Sequence, residues 1–204
     1  MQGLNDKICF FLRERFADMG EKEGGLYPYY VRRMKTEQAF SLLDKKIIDY
    51  VRENYFLCKQ STSILEVGGG IGQLGHALAL EGYNITICER DVRRFNAAVA
   101  LGDFLKSGAK LEHTSFPDCY SPDYDLVIMA NVTSSENVTF TECLKMIKEK
   151  VIPNSRLLFS PVLYDTSIST FAEACSEMEI NNVPYEQIGI GKPGDPEMYH
   201  LVLL

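Results

Sequence analysis

The spacing of apolar residues changes character near residue 62. Upstream it is helical: Leu4, Ile8, Phe11, Leu12 and Phe16 recur at intervals of three and four and predict a helix over 4–18. Gly20, Gly24, Gly25 and Pro28 interrupt that pattern, so Tyr27-Pro28-Tyr29-Tyr30-Val31-Arg32-Arg33 reads as part of a connecting loop. A second helix is expected from Thr36, taken as its N-cap, to Tyr55, with Phe40, Leu43, Ile47, Tyr50 and Val51 on one face.

From residue 62 onward, apolar runs of strand length alternate with amphipathic stretches. The runs predict strands at 62–67, 84–89, 109–114, 124–130 and 155–163, with helices at 73–81, 92–106 and 137–150 between them. The stripes Phe140, Leu144, Ile147, Val151 and then Ile168, Phe171, Cys175, Met178 give two of the helices their inner faces. Strands one, two, four and five are apolar almost throughout, which suits a parallel sheet covered on both faces. The end of the chain differs. Tyr185–Ile190 and Met198–Leu204 flank the turn-rich 191–197, too short for a crossover helix, so they should pair antiparallel. The expected architecture is α/β: a doubly wound, mostly parallel seven-stranded sheet with an antiparallel C-terminal hairpin. Residues 1–35 form an N-terminal helical extension and 36–204 the main domain.

Composition narrows the partners. At 204 residues and 46% hydrophobic, the chain can bury a full core as one domain plus that extension. A net charge of −7 argues against a large phosphate-binding surface, because nucleic-acid affinity rests on Lys and Arg neutralising phosphates. Cys9, Cys58, Cys88, Cys119, Cys143 and Cys175 are scattered without a C-x-x-C pair, so they read as reduced core residues of a cytoplasmic protein and no metal is expected. Asp6 and Arg13 interrupt the N-terminal apolar residues, so no signal-peptide core forms, and no run reaches membrane-spanning length. Without a secretion signal, the glycosylation sequons at Asn131 and Asn137 read as chance.

The chemistry concentrates at Ile64-Leu65-Glu66-Val67-Gly68-Gly69-Gly70-Ile71-Gly72, where an apolar run ends in an acid and then four glycines. That is strand, tight turn, helix. Glycine tolerates φ > 0 and lets a ligand lie against bare backbone, while the following helix turns its free N–H groups toward that ligand. The spacing Glu66-x-Gly68-x-Gly70-x-Gly72 resembles motif I of the class I S-adenosyl-L-methionine (SAM) dependent methyltransferases. The resemblance covers roughly 36–204 and is strongest over 62–91. It implies a Rossmann-like fold, SAM as cofactor and S-adenosyl-L-homocysteine as product.

Residue by residue, the resemblance implies that Glu89 accepts hydrogen bonds from the ribose hydroxyls and that Arg90 and Asp91 pack beside the adenine. Thr114 or Ser115 stands where the family often has an acid near the adenine amino group, and Phe116 packs against the ring. Asn131 is placed to touch the methionine portion or the acceptor. The segment Tyr27–Arg33 is expected to lid the ligand, with Tyr29, Tyr30 and Tyr164 as candidates at the acceptor. In Asn131-Val132-Thr133, the Asp/Asn-Pro-Pro-aromatic motif of the DNA adenine methyltransferases is missing. Together with the negative charge, this points to a small-molecule acceptor and away from nucleic acid, with no membrane partner.

Of the three histidines, His76 reads as packing, His200 lies in the last strand, and only His113 ends a strand on the cleft side, which makes it a candidate base, with Asn131 a second candidate for a catalytic role. A strong base is not required, since a sulfonium already makes the methyl group electrophilic and positioning drives the displacement. Three alternatives stand beside methyl transfer. Gly70-x-Gly72-x-x-Gly75 also satisfies the dinucleotide fingerprint, with Glu89 about 20 residues on, which would make the chain an NAD-type oxidoreductase. The fold can also serve as a non-catalytic SAM-binding or interaction module. It can transfer the aminopropyl or aminobutyryl part of the donor instead of its methyl.

Overall fold

The computed structural model describes residues 2–16, 27–130, 140–160, 171–190 and 200–204. Three helices precede the sheet: α1 Gln2–Phe16, α2 Tyr27–Thr36 and α3 Leu42–Tyr55. The segment expected as a loop, Tyr27–Arg33, is therefore helical. Pro28 is the second residue of α2, where a missing N–H costs nothing and the fixed φ already suits a helix. The second helix does not begin at Thr36, which instead ends α2. It begins after Ser41, whose hydroxyl accepts the Asp44 amide at 2.9 Å while the Asp44 carboxylate accepts the Ser41 amide at 2.7 Å. Such a reciprocal box satisfies two end amides, more than a lone threonine offers. Between the two helices Glu37 turns the chain with φ +55°.

The strands are β1 Ser63–Val67, β2 Asn84–Cys88, β3 Lys110–Glu112, β4 Leu126–Ala130, β5 Arg156–Ser160, β6 Glu186–Ile190 and β7 His200–Leu203. Between them run α4 Gln73–Leu80, α5 Val92–Leu105, α6 Phe140–Met146, which continues into a π-helical turn Ile147–Val151, and α7 Phe171–Ile180. The sheet order is β3-β2-β1-β4-β5-β7-β6. Pairing is parallel from β3 through β5, and β7 runs antiparallel to both β5 and β6. The C-terminal hairpin is thus as the sequence predicts, with its second strand inserted between β5 and β6. β3 is only three residues long, so His113 and Thr114 lie beyond it rather than in it.

Strand residues alternate between two cores, as a pleat requires. Ile64, Ile85, Leu126, Ile128, Leu158 and Leu201 pack with residues of α1 to α5, including Ile8, Leu12, Ile47, Ile48, Leu78 and Leu101. Leu65, Val127, Met129, Leu157, Phe159 and Val202 pack on the opposite face with Phe140, Leu144, Ile147, Val151 and Met178. A lone 15-residue helix is marginal in water, but α1 buries Ile8, Phe11 and Leu12 in the first core. At roughly 1.5–3 kcal/mol for each such side chain, packing decides that α1 forms. The cysteine expectation needs correcting at two positions: Cys58 is exposed just after α3 and Cys175 is half-buried, whereas Cys9, Cys88, Cys119 and Cys143 are buried, and all six are free thiols.

Candidate functional site

β1 lies between β2 and β4, and the helices that follow β1 and β4 cover opposite faces of the sheet. The carboxyl end of β1 is therefore a topological switch point, where open α/β sheets bind ligands. The glycine turn sits there. Gly68, Gly70 and Gly72 have φ of +66°, +62° and +76°, a left-handed backbone that side chains resist. A Cβ on Gly70 would also lie 2.6 Å from the Tyr30 hydroxyl, and one on Gly75 would lie 2.5 Å from both Glu66 Oε2 and Ile87 Cγ1. The turn is tied down by Gly69 N–H donating to the Cys88 carbonyl at 3.0 Å and Gly72 N–H to the Gly69 carbonyl at 2.8 Å. No side chain caps the start of α4 at Gly72, and of the first-turn amides Gly75 N–H is directed at the Glu66 carboxyl.

Glu89 follows β2 and is only 3% exposed. Its Oε2 accepts the Gly70 amide at 2.9 Å and its Oε1 the Asp91 amide at 2.8 Å. The carboxylate expected at a ribose therefore also builds the turn. Each oxygen retains a second lone pair for a ligand. From the N-terminal side, Tyr30 of α2, 7% exposed, accepts the Ile71 amide on its hydroxyl at 3.2 Å. The aromatic segment thus covers the turn through Tyr30.

Glu66 ends on the α3 and α4 side of β1 and is 6% exposed. Its Oε2 has no hydrogen-bond partner. Burial pushes its carboxyl up to about 8, the field of Asp44 adds to this, the Gly75 amide opposes it, and Glu89 adds a little more. Asp44 was not singled out by the sequence pattern, since only the fold brings α3 beside β1. Gln73, the first residue of α4, was missed as well: it is buried with its Oε1 unpaired. The one signal for it is a long polar side chain opening an otherwise apolar helix, QLGHALAL.

On the far side of Glu89, Arg90 is exposed and its carbonyl accepts His113 Nε2–H at 2.9 Å. The His113 ring stacks on Phe95 with centroids 5.0 Å apart. One ring nitrogen of this candidate base is therefore committed to backbone. Thr114, Ser115 and Phe116 follow, all half-buried, and the Thr114 carbonyl accepts the Cys88 thiol at 3.0 Å. The Asp91 carboxylate caps α5, accepting the Arg93 and Arg94 amides. Burial raises it, but the Arg94 and Arg93 amides and the Arg93 guanidinium outweigh this and hold it below the usual range.

His76 is a packing residue. Its Nε2–H donates to the Ala98 carbonyl at 2.9 Å, which leaves Nδ1 to accept from the Ser107 hydroxyl at 2.7 Å, and burial lowers its pKa. Asn131, Tyr164 and the side chain of Tyr29 lie outside the described residues, as do both sequons and the side chain of His200. Among the described residues, no three of His, Cys, Asp and Glu converge as a metal-binding set.

The architecture now meets known structures. The bifunctional kinase-methyltransferase WbdD superposes with a TM-score of 0.68 at 13% identity over 95% of this chain and 45% of WbdD, so the chain spans about half of that protein. Magnesium protoporphyrin IX methyltransferase from Synechocystis PCC 6803, crystallised with SAM, gives 0.56 at 14% identity over 96% of this chain and 94% of the enzyme. The tRNA (uracil-54, C5)-methyltransferase of Pyrococcus abyssi gives 0.50 at 18% identity over 76% and 36% of the two chains. The fold is that of the class I methyltransferases. At these identities the likeness is one of architecture, and neither a family model nor a curated protein sequence matches the chain. Within the methyltransferase fold, the glycine turn, Glu66 and Glu89 lie together at the carboxyl edge, while Arg90, His113 and Thr114–Phe116 lie to the β2–β3 side.

Proposed function

We propose that the chain is a SAM-dependent methyltransferase acting on a small-molecule acceptor. The observation that carries this reading is the clasp between Glu89 and Gly70, which joins a ribose-type carboxylate to a bare glycine backbone at the switch point. The residues fit the donor. Glu66 offers a buried, unpaired oxygen and Gln73 another, both suited to an ammonium on an amino-acid tail. In this proposal Gly68, Gly70 and Gly72 bear that tail, Glu89 takes the ribose hydroxyls, and Arg90, Thr114, Ser115 and Phe116 flank the adenine. Asn131, Tyr29, Tyr30 and Tyr164 belong to the acceptor side, with 1–35 as a lid on the domain 36–204. Because Tyr30 and Glu89 are buried, entry of the donor requires the cover over the turn to lift.

Bound SAM would supply a methyl group already activated by the sulfonium, so the chain's own work is orientation and exclusion of water. The net charge of −7 favours a small molecule over RNA or DNA as acceptor. Six free thiols suit a reducing compartment, and the cytoplasm is the proposed location. No helix among the described residues is long and apolar enough to cross a membrane.

One observation favours the dinucleotide reading. Gly75, the third glycine of that fingerprint, lets α4 approach Ile87 closely, which is the packing role a dinucleotide fold gives it. The antiparallel β7 between β5 and β6 weighs against it, because the dinucleotide sheet is parallel throughout. Calorimetry with S-adenosylhomocysteine and NAD separates the two. Micromolar binding of the first with no heat from the second is expected, and NAD binding with no heat from S-adenosylhomocysteine would overturn the proposal.

A further inference from the structure

We infer that Glu66 couples ligand binding to proton release: it carries a proton while the turn is empty and gives it to solvent when an ammonium-bearing tail settles there. This rests on the reading of the turn as a site for an adenosyl amino acid.

The geometry isolates Glu66. Its Oε2 is buried, has no hydrogen-bond partner, and lies under the turn, 3.2 Å from where a Gly69 Cβ would be and 2.5 Å from that of Gly75. The groups facing it are mostly of its own sign. From α3 comes Asp44, whose carboxylate accepts the Ser41 amide, and from the end of β2 comes Glu89, which accepts two amides. From α4 comes the Gly75 amide. His76 of α4 turns away to Ala98 and Ser107, Tyr30 of α2 is engaged with Ile71, and Arg33 of α2 is buried in the same N-terminal layer. Of the three acids, Glu66 is the one with a buried carboxylate oxygen that has no hydrogen-bond partner, and its carboxyl, raised to about 8 by burial, agrees.

An ammonium on the turn reverses this balance. It donates a hydrogen bond to the orphaned oxygen and offsets the two neighbouring anions, which favours the carboxylate. The carboxyl O–H bond breaks, the proton passes to solvent, and an N–H···O bond replaces it. Linkage then requires affinity to rise with pH by roughly tenfold per unit below about 8.

The test is calorimetry of S-adenosylhomocysteine between pH 6 and 8 in buffers of different ionisation enthalpy. Close to one proton released per ligand at pH 7 is expected, with the stated rise in affinity. 5′-Methylthioadenosine, which has the nucleoside but no amino-acid tail, should release none, and Glu66→Gln should bind with neither release nor pH dependence. Binding without proton release, release that persists in Glu66→Gln, or equal release by methylthioadenosine overturns the inference while the cofactor reading stands. Absence of any S-adenosylhomocysteine binding at every pH overturns the cofactor reading, and the inference with it. Should Glu66→Gln fail to fold, the comparison of the two ligands on the wild-type chain still decides.

Discussion

Glu89 Oε2 accepts the Gly70 amide at 2.9 Å, so a side chain at the end of β2 sets the shape of the turn after β1. In the proposed site, one carboxylate would both hold the turn and take the ribose. A hydrogen bond to a charged group is worth about 1.5–3 kcal/mol, so Glu89→Ala should weaken S-adenosylhomocysteine roughly 10- to 150-fold. Glu89→Gln should lose nearly as much, since its amide nitrogen must face one of the two N–H groups that Glu89 accepts. Calorimetry of the three proteins checks this, and wild-type affinity in Glu89→Ala would remove Glu89 from the site.

Gly70 is constrained twice, by φ +62° and by the Tyr30 hydroxyl 2.6 Å from where its Cβ would stand. The left-handed backbone alone costs alanine about 1–2 kcal/mol. Gly70→Ala should therefore lower Tm by several degrees and abolish ligand binding, given about 2–4 °C per kcal/mol at this size. Adding Tyr30→Phe removes the clashing atom and should restore part of the loss. A thermal shift series on the single and double variants reads this out, and strict additivity would show that Tyr30 does not press on Gly70.

What was legible in the sequence is what local chemistry dictates. The glycine turn and Glu89 could be read because φ > 0 and a carboxylate at a strand end each demand particular residue types at particular positions. Strand order was not legible, because β7 reaches its place between β5 and β6 through long-range pairing that leaves no local mark. α2 was hidden because Pro28 reads as a breaker unless it is known to occupy a first turn. The approach of Asp44 to Glu66 spans α3 and β1, and only packing brings it about. Of the acceptor-side candidates, Asn131 and Tyr164 lie outside the described residues, while Tyr30 is placed by its contact with Ile71.

The cap on α3 gives a check of the N-terminal half that is independent of any ligand. Ser41→Ala leaves the Asp44 amide without its hydroxyl acceptor and should destabilise the fold by about 0.5–2 kcal/mol. Thr36→Ala should cost less, because Thr36 ends α2 instead of starting α3. Urea denaturation of both variants compares them directly, and a larger loss at Thr36 would contradict the assigned cap.

A chain of net charge −7 lacks the lysine and arginine excess that neutralises phosphates. No binding tighter than micromolar is expected for RNA or DNA at physiological salt. Titration of labelled oligonucleotides tests it. A submicromolar Kd that weakens steeply with added salt would shift the proposed acceptor from a small molecule to nucleic acid.

Glu66 also makes stability depend on pH without any ligand. Its carboxyl is raised from an ordinary 4.5 to about 8 in the folded chain, first by burial and then by Asp44. The folded state therefore holds this proton more tightly than the unfolded state does, and the proton favours folding. That contribution is complete below about 4.5, erodes as the pH rises, and is gone above about 8. Glu66→Gln keeps a neutral side chain of nearly the same shape at every pH, so its stability should not follow that curve. The Tm of Glu66→Gln minus that of wild type should grow from pH 5 to pH 8 and then level off. A difference that is constant across this range would mean that Glu66 is ionised in the empty turn, which would remove the proton that ligand binding is inferred to release.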